Sequence, residues 1–177
     1  MLTTKRLVLR ALEESDTASV YSLYCNDDFM RYSGIRPWLS HDEARKFLAH
    51  AMAQASDGSA LRMGLLQNEQ FIGTCSLLNI DSHHRRCEIG YGLAPSHWGL
   101  GLASEAVAAI LELAFRSMGI RRIQANVDPE NLSSIKLLKR LGFRPEGTLR
   151  EHLLTTLGPV DSSIFGLLDR EWNALGQ

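Results

Sequence analysis

Two glycines, Gly99 and Gly101, stand in "PSHWGLGLASEA" (residues 95–106), just where a long apolar helix is due to begin. Glycine lowers helix propensity, so the backbone there is shaped for something other than stability. A strand, a glycine-bearing turn and a helix present free N–H groups at the positive helix end, and such a turn cradles a phosphate without any lysine. Two other phosphate loops fit poorly: no Gly-Lys-Ser/Thr follows, and Ser104 stands where a dinucleotide fingerprint has its third glycine. A tight turn that needs positive φ alone is the remaining alternative. Further on, "NLSS" sets Asn131 three residues before Ser134, with Ser133 between them, and both residue types are good helix caps. Lys136, Lys139 and Arg140 follow on the same helix, a basic cluster suited to an anion or simply to solvent.

The other reactive residue types do not assemble by spacing. Cys25, Cys75 and Cys87 form no CxxC pair and no Cys/His metal pattern, which points to a reducing cytoplasm instead of a disulfide framework or a zinc site. His83, His84, His97 and His152 offer no metal-ligand pair, so no metal is expected. With 19 Lys+Arg against 20 Asp+Glu, a net charge of -1 gives no general attraction to nucleic acid or to an anionic membrane. Any bound anion must therefore be held locally. The start "MLTTKRLVLRALEESD" turns polar too early for a signal peptide, and no apolar run approaches membrane-spanning length.

The elements that must position these residues follow from periodicity. "RLVLRAL" alternates as a strand, and Val20, Leu23 and Tyr24 then fall at helical spacing. Ser40 and Glu43 form a capping-box pattern that opens a helix closed near Gly58. "ALRMGLL", "QFIGTCSLLNI" and "RRCEIGYGL", separated by polar turns, read as an antiparallel meander. A long helix follows with Val107, Leu111, Ala114 and Met118 on one face, ending at Gly119. "RRIQANV" is a strand, "ENLSSIKLLKRLG" a helix, and "FRPEGTLRE" and "DSSIFGLL" are two closing strands. The length of 177 residues suits one domain, 1–177, of α+β class, with helices on a mixed sheet.

"IGYGLAPSHWGLGLASEA" followed by "ANVDPENLSSIKLLKRLGFRPEGTLRE" resembles the central block of the GNAT superfamily of acetyl-CoA-dependent N-acetyltransferases. The nearest likeness is to its branch of RimJ and RimL ribosomal-protein N-terminal acetyltransferases, and it extends from "KRLVLRAL" to "FGLLDREW". The superfamily loop reads Q/R-x-x-G-x-G/A; here Trp98 takes the first position, with Gly101 and Ala103 matching the other two. The resemblance implies a GNAT fold: a mixed, mostly antiparallel sheet of about seven strands, helices on both faces, and a splayed strand pair holding the cofactor. It implies acetyl-CoA as cosubstrate, with its pyrophosphate on the N–H groups of Gly99, Leu100, Gly101, Leu102, Ala103 and Ser104 and its pantetheine along Tyr91 and Leu93. Asn131 then contacts the cofactor, and Ser134 lies near the sulfur, able to protonate the leaving thiolate.

Amine acetylation needs a neutral amine, a donor for the carbonyl oxygen and help for the thiolate. Glu88, on the strand leading to the glycine loop, is the candidate base acting through water, and a solvated or ion-paired glutamate beside Arg85 and Arg86 is the plain alternative. A strand N–H near Leu93 is the expected oxyanion donor. Trp38, Trp98 and Trp172, with Phe29, are candidate acceptor walls or core, and His152 follows the strand bordering the acceptor site in the family. The expected reaction is direct transfer, in a ternary complex, to a protein N-terminal α-amine such as that of a ribosomal protein. A small-molecule amine (polyamine or aminoglycoside) and a non-catalytic acyl-CoA-binding module are the alternatives. The chain is expected to be a monomer or a homodimer, with "DSSIFGLL" as an exposed sheet edge.

Overall fold

The computed structural model describes residues 1–155 and 158–174. Two short strands, β1 (Leu2–Thr3) and β2 (Val8–Ala11), lead through a 3-10 turn into α1 (Thr17–Tyr24) and the single-turn α2 (Asp27–Met30). Helix α3 (His41–Asp57) carries the reciprocal Ser40–Glu43 capping box, and Gly58 ends it with φ 77°. The meander is β3 (Leu61–Gln67), β4 (Gln70–Asp81) and β5 (Arg86–Leu93). Helix α4 (Leu102–Glu112) continues as a π turn over Leu113–Ser117, then come β6 (Arg122–Val127), α5 (Leu132–Arg140), β7 (Arg144–Thr155), β8 (Gly158–Leu168) and α6 (Asp169–Ala174).

All eight strands form one sheet in the order β1-β2-β3-β4-β5-β6-β8-β7. The strand beyond the seven expected is β1, too short to show alternation. Every neighbouring pair is antiparallel except β5 and β6, which are parallel because α4 carries the chain back between them. The edge lies elsewhere than expected: "DSSIFGLL" belongs to β8, which is enclosed by β6 and β7, and the sheet's two edges are β1 and β7.

One face of the sheet packs on α4, where Val107, Ile110 and Leu111 are fully buried against Ile72, Leu77, Ile123 and Leu167. Each such side chain contributes about 1.5–3 kcal/mol, so α4 is anchored by its middle and its first turn needs no side-chain cap. The other face packs on α1 and α3 through Val20, Trp38, Ala44 and Leu48. Trp38 stacks on Tyr24 at 4.3 Å and Trp172 lies buried beside Phe115, so these two tryptophans are core, not acceptor walls. Among the described residues no helix is long and apolar enough to cross a membrane.

Candidate active site

β5 and β6 pair over only three residues: Arg86 with Arg122, Cys87 with Ile123, and Glu88 with Gln124. Both strands run on, to Leu93 and Val127, but they diverge. Main-chain groups pointing into that gap have no strand partner, a costly arrangement unless something fills it. A cavity of about 140 Å³ opens in the fork, reaching from Tyr32 past Gly90, Tyr91 and Asn126 to Asn131 and Ser134. A larger depression, about 580 Å³, runs along the bulged part of β7 from Thr148 to Glu151; it is an open surface groove that holds none of the fork's residues.

Side chains alternate along β5. Cys87, Ile89 and Leu93 enter the core under α4, with Tyr91 packed against it. Glu88, Gly90 and Gly92 face the opposite side, where the Phe29 ring of α2 covers Gly92 so closely that a Cβ there would lie 2.9 Å from it. The fork thus connects the two faces of the sheet.

On the α4 side, Asn131 caps α5 by accepting hydrogen bonds at Oδ1 from Ser134 N at 3.1 Å and Ser133 Oγ at 3.0 Å. That first turn leaves Ser133 exposed and brings Ser134 Oγ to 2.7 Å from the Tyr91 hydroxyl. Burial pushes the Tyr91 hydroxyl up to about 12, against the opposing effect of its bond to Ser134. Tyr91 therefore brings a hydroxyl as well as a backbone to the site.

On the other side Glu88 sits at the last paired rung, at the base of the fork. Its Oε1 accepts from Asn79 Nδ2 at 3.0 Å and its Oε2 from Asn126 Nδ2 at 3.0 Å. Asn79 reaches it from a bulge in β4, with φ 49°. The ion-pair alternative fails, because Arg86 turns to Asp81 at 3.3 Å and Arg85 to the Gly119 carbonyl at 2.7 Å.

At the glycine loop both Gly99 and Gly101 have φ 75°. A Cβ on Gly99 would meet nothing within 4 Å, and one on Gly101 only Arg6 Nη2 at 3.5 Å, so positive φ demands the glycines and the space before them is open. Gly101 is the N-cap of α4, and the N–H groups of Leu102, Ala103 and Ser104 have no acceptor within the helix. Arg140 of α5 donates to Ser104 Oγ, which brings a guanidinium to the same helix end, while Lys136 and Lys139 stay exposed. Trp98 gives its indole N–H to the Leu93 carbonyl at 2.7 Å, tying the loop to the end of β5 instead of offering that donor to an anion.

No spacing in the sequence marks the N-terminal clamp of this loop. Arg6 donates to the Leu100 carbonyl at 2.8 Å and, through Nε, to Glu105 Oε2 at 2.7 Å, while Thr4 Oγ1 donates to Glu105 Oε1 at 2.7 Å. It thereby balances the carboxylate in the first turn of α4, which would otherwise repel an anion. Asn79, Asn126 and Tyr32 also escaped notice, since amides and a loop tyrosine carry no spacing signal. Among the described residues no group of His, Cys, Asp or Glu could hold a metal ion. His152 lies exposed on β7.

A family model described as "Acetyltransferase (GNAT) domain" matches residues 6–144. "Uncharacterized N-acetyltransferase p20" of Bacillus licheniformis is 36% identical, over 97% of this chain and 97% of its own. The [Ribosomal protein uS5]-alanine N-acetyltransferase of Escherichia coli (strain K12) is 30% identical, over 97% of this chain and 92% of its own. A crystal structure of spermidine N-acetyltransferase from Vibrio cholerae, in complex with CoA and spermine, matches with a TM-score of 0.85 at 26% identity, over 96% of this chain and 99% of its own.

Proposed function

The chain belongs to the GNAT acetyltransferase family, and from that premise we propose that this N-acetyltransferase moves the acetyl group of acetyl-CoA to a protein N-terminal α-amine, as on a ribosomal protein. It acts as a single cytoplasmic domain, by direct attack in a ternary complex. The observation that carries the reading is the cavity in the fork, which joins the Ser134–Tyr91 hydroxyl pair on one face of the sheet to Asn126, the partner of Glu88, on the other.

The residues present fit acetyl-CoA. Unpaired main-chain groups between Ile89 and Leu93 suit the extended, amide-bearing pantetheine, and Gly99 to Ser104 with Arg140 suit the pyrophosphate. Asn131, whose Oδ1 is occupied by the cap, retains Nδ2 for the same ligand. When bound, acetyl-CoA supplies a thioester carbonyl open to attack and a thiol as leaving group. Glu88, an acceptor-only carboxylate, draws an ammonium to the fork and takes its proton through water. A backbone N–H near Leu93 offers a donor where negative charge develops. Ser134 Oγ holds the proton for the departing sulfur, with Tyr91 behind it.

The acceptor follows from how much help the amine needs. An α-amine of pKa ~7.8 is on the order of 10% neutral at pH 7, whereas a lysine of pKa ~10.4 is neutral at well below ~0.1%. Among the described lining residues Asp128 is the one carboxylate. That is a sparse match for a polyamine, whose separated cations call for several.

Free-thiol release from acetyl-CoA, measured with N-terminal peptides, polyamines and aminoglycosides, tests this. Release with peptides bearing a free α-amine is expected. Release only with polyamines or aminoglycosides moves the acceptor to small molecules, and tight binding without release makes the chain a binding module.

A further inference from the structure

Alternate residues of β6 share a face, so Arg122, Gln124 and Asn126 in "RRIQANV" stand in a row. Their side chains are joined without a break. Arg122 grips Glu146 with two bonds, Nη1 to Oε1 at 2.7 Å and Nη2 to Oε2 at 2.5 Å, and Nη2 also reaches Gln124 Oε1 at 3.4 Å. Gln124 Nε2 donates to Asn126 Oδ1 at 2.9 Å, and Asn126 Nδ2 donates to Glu88 Oε2 at 3.0 Å.

The ends decide the direction. A guanidinium has only donors and a carboxylate only acceptors, so with Arg122 at one end and Glu88 at the other both amides are oriented one way. Each bond polarises the next. The far end is accommodated by Gly166 of β8, the register partner of Gln124: a Cβ there would lie 2.3 Å from Glu146 Oε1 and 2.7 Å from Arg122 Nη1. Asn126 both touches Glu88 and lines the cavity.

Resting on the base role given to Glu88 above, we propose that Gln124 and Asn126 are positioning residues: backed by the Arg122–Glu146 pair, they fix the orientation of the Glu88 side chain toward the fork. A row that merely fastened β6 into the sheet would have the same contacts and the same direction but no bearing on turnover, and substitutions separate the two cases.

Glutamate at position 124 keeps the size of glutamine and an acceptor for Arg122, but has no N–H for Asn126. The Asn126 amide then turns to donate to it and presents Oδ1 to Glu88. Methionine matches the length and makes neither bond. In thiol-release assays kcat is expected to fall about tenfold in Gln124→Met and about a hundredfold in Gln124→Glu, with the acetyl-CoA KM within about twofold of the parent. Milder loss in Gln124→Glu than in Gln124→Met, or no loss in either, overturns the proposal. If Gln124→Glu does not fold, Asn126→Asp reads the same effect by setting a second carboxylate against Glu88.

Glu88→Gln separates this inference from the reading beneath it. Full activity in Glu88→Gln removes the base and the positioning together; a large loss there combined with the reverse ranking at position 124 removes the positioning alone. A readout independent of turnover is the side-chain amide spectrum of ligand-free, ¹⁵N-labelled protein. Glu88→Gln is expected to shift the Gln124 amide as well as that of Asn126, and a shift confined to Asn126 overturns the polarised row.

Discussion

A serine hydroxyl is a poor acid alone, which makes the 2.7 Å contact between Ser134 Oγ and the Tyr91 hydroxyl the informative one at this site. In the proposed acid role, a proton given up by Ser134 would be replaced from Tyr91 without reaching solvent. Tyr91→Phe keeps the packed ring and deletes only the hydroxyl. Its kcat is expected to fall about tenfold, about 1.4 kcal/mol of barrier, while the acetyl-CoA KM holds; initial rates over a range of acetyl-CoA concentration measure both. An unchanged kcat makes Tyr91 a packing residue. Asn131 and Ser134 were legible because helix caps have a spacing and the family has a motif. The Tyr91 hydroxyl was not, since alternation assigns a strand residue to a face without saying which side chain will cross to meet it. Asn79 acts only through a bulge, and a bulge leaves no period in the sequence.

The β4–β5 turn sets how β5 meets β6, and Asp81 organises that turn. Its Oδ1 accepts from His84 N at 2.8 Å, and its Oδ2 lies 2.9 Å from His84 Nδ1 and accepts from Arg86 Nε at 3.3 Å. The bond from the His84 backbone, then those from the His84 ring and Arg86, bring the carboxyl down to about 2. A depressed folded pKa stabilises the protein above the unfolded value, and that contribution is lost as pH falls through the folded one. Asp81→Asn is therefore expected to be less stable than the parent at neutral pH, the gap closing between pH ~4 and pH ~2. Urea melts across that range check it, and a gap independent of pH excludes the ionised form as its source. Most elements were readable from period alone. α2 is a single turn, and β7 and β8 outrun the stretches read for them because β7 bulges between Pro145 and Gly147 and again between Leu149 and Leu153. Its side chains from Arg144 to Leu154 are also exposed, so no hydrophobic alternation marks the strand.

The fork belongs to the molecule and to no element within it. β5 and β6 each read as an ordinary strand, and their divergence after Glu88 and Gln124 arises only when α4 has brought them side by side. The sequence alone therefore showed a divergent pair only through family likeness. If acetyl-CoA lies there, its addition is expected to slow amide hydrogen exchange at residues 89–93 and 102–104 and to leave α1 and α3 unchanged. At 100 times Kd the global gain is about 2.7 kcal/mol. Unaltered exchange in the fork would place the ligand elsewhere. In main-chain terms the sheet is two plates, β1 to β5 and β6 to β7, stitched by three residue pairs. With so short a seam, the angle of the fork is fixed less by strand pairing than by α4, whose Val107, Ile110 and Leu111 pack in one core with Ile89 of the first plate and Ile123 and Leu167 of the second.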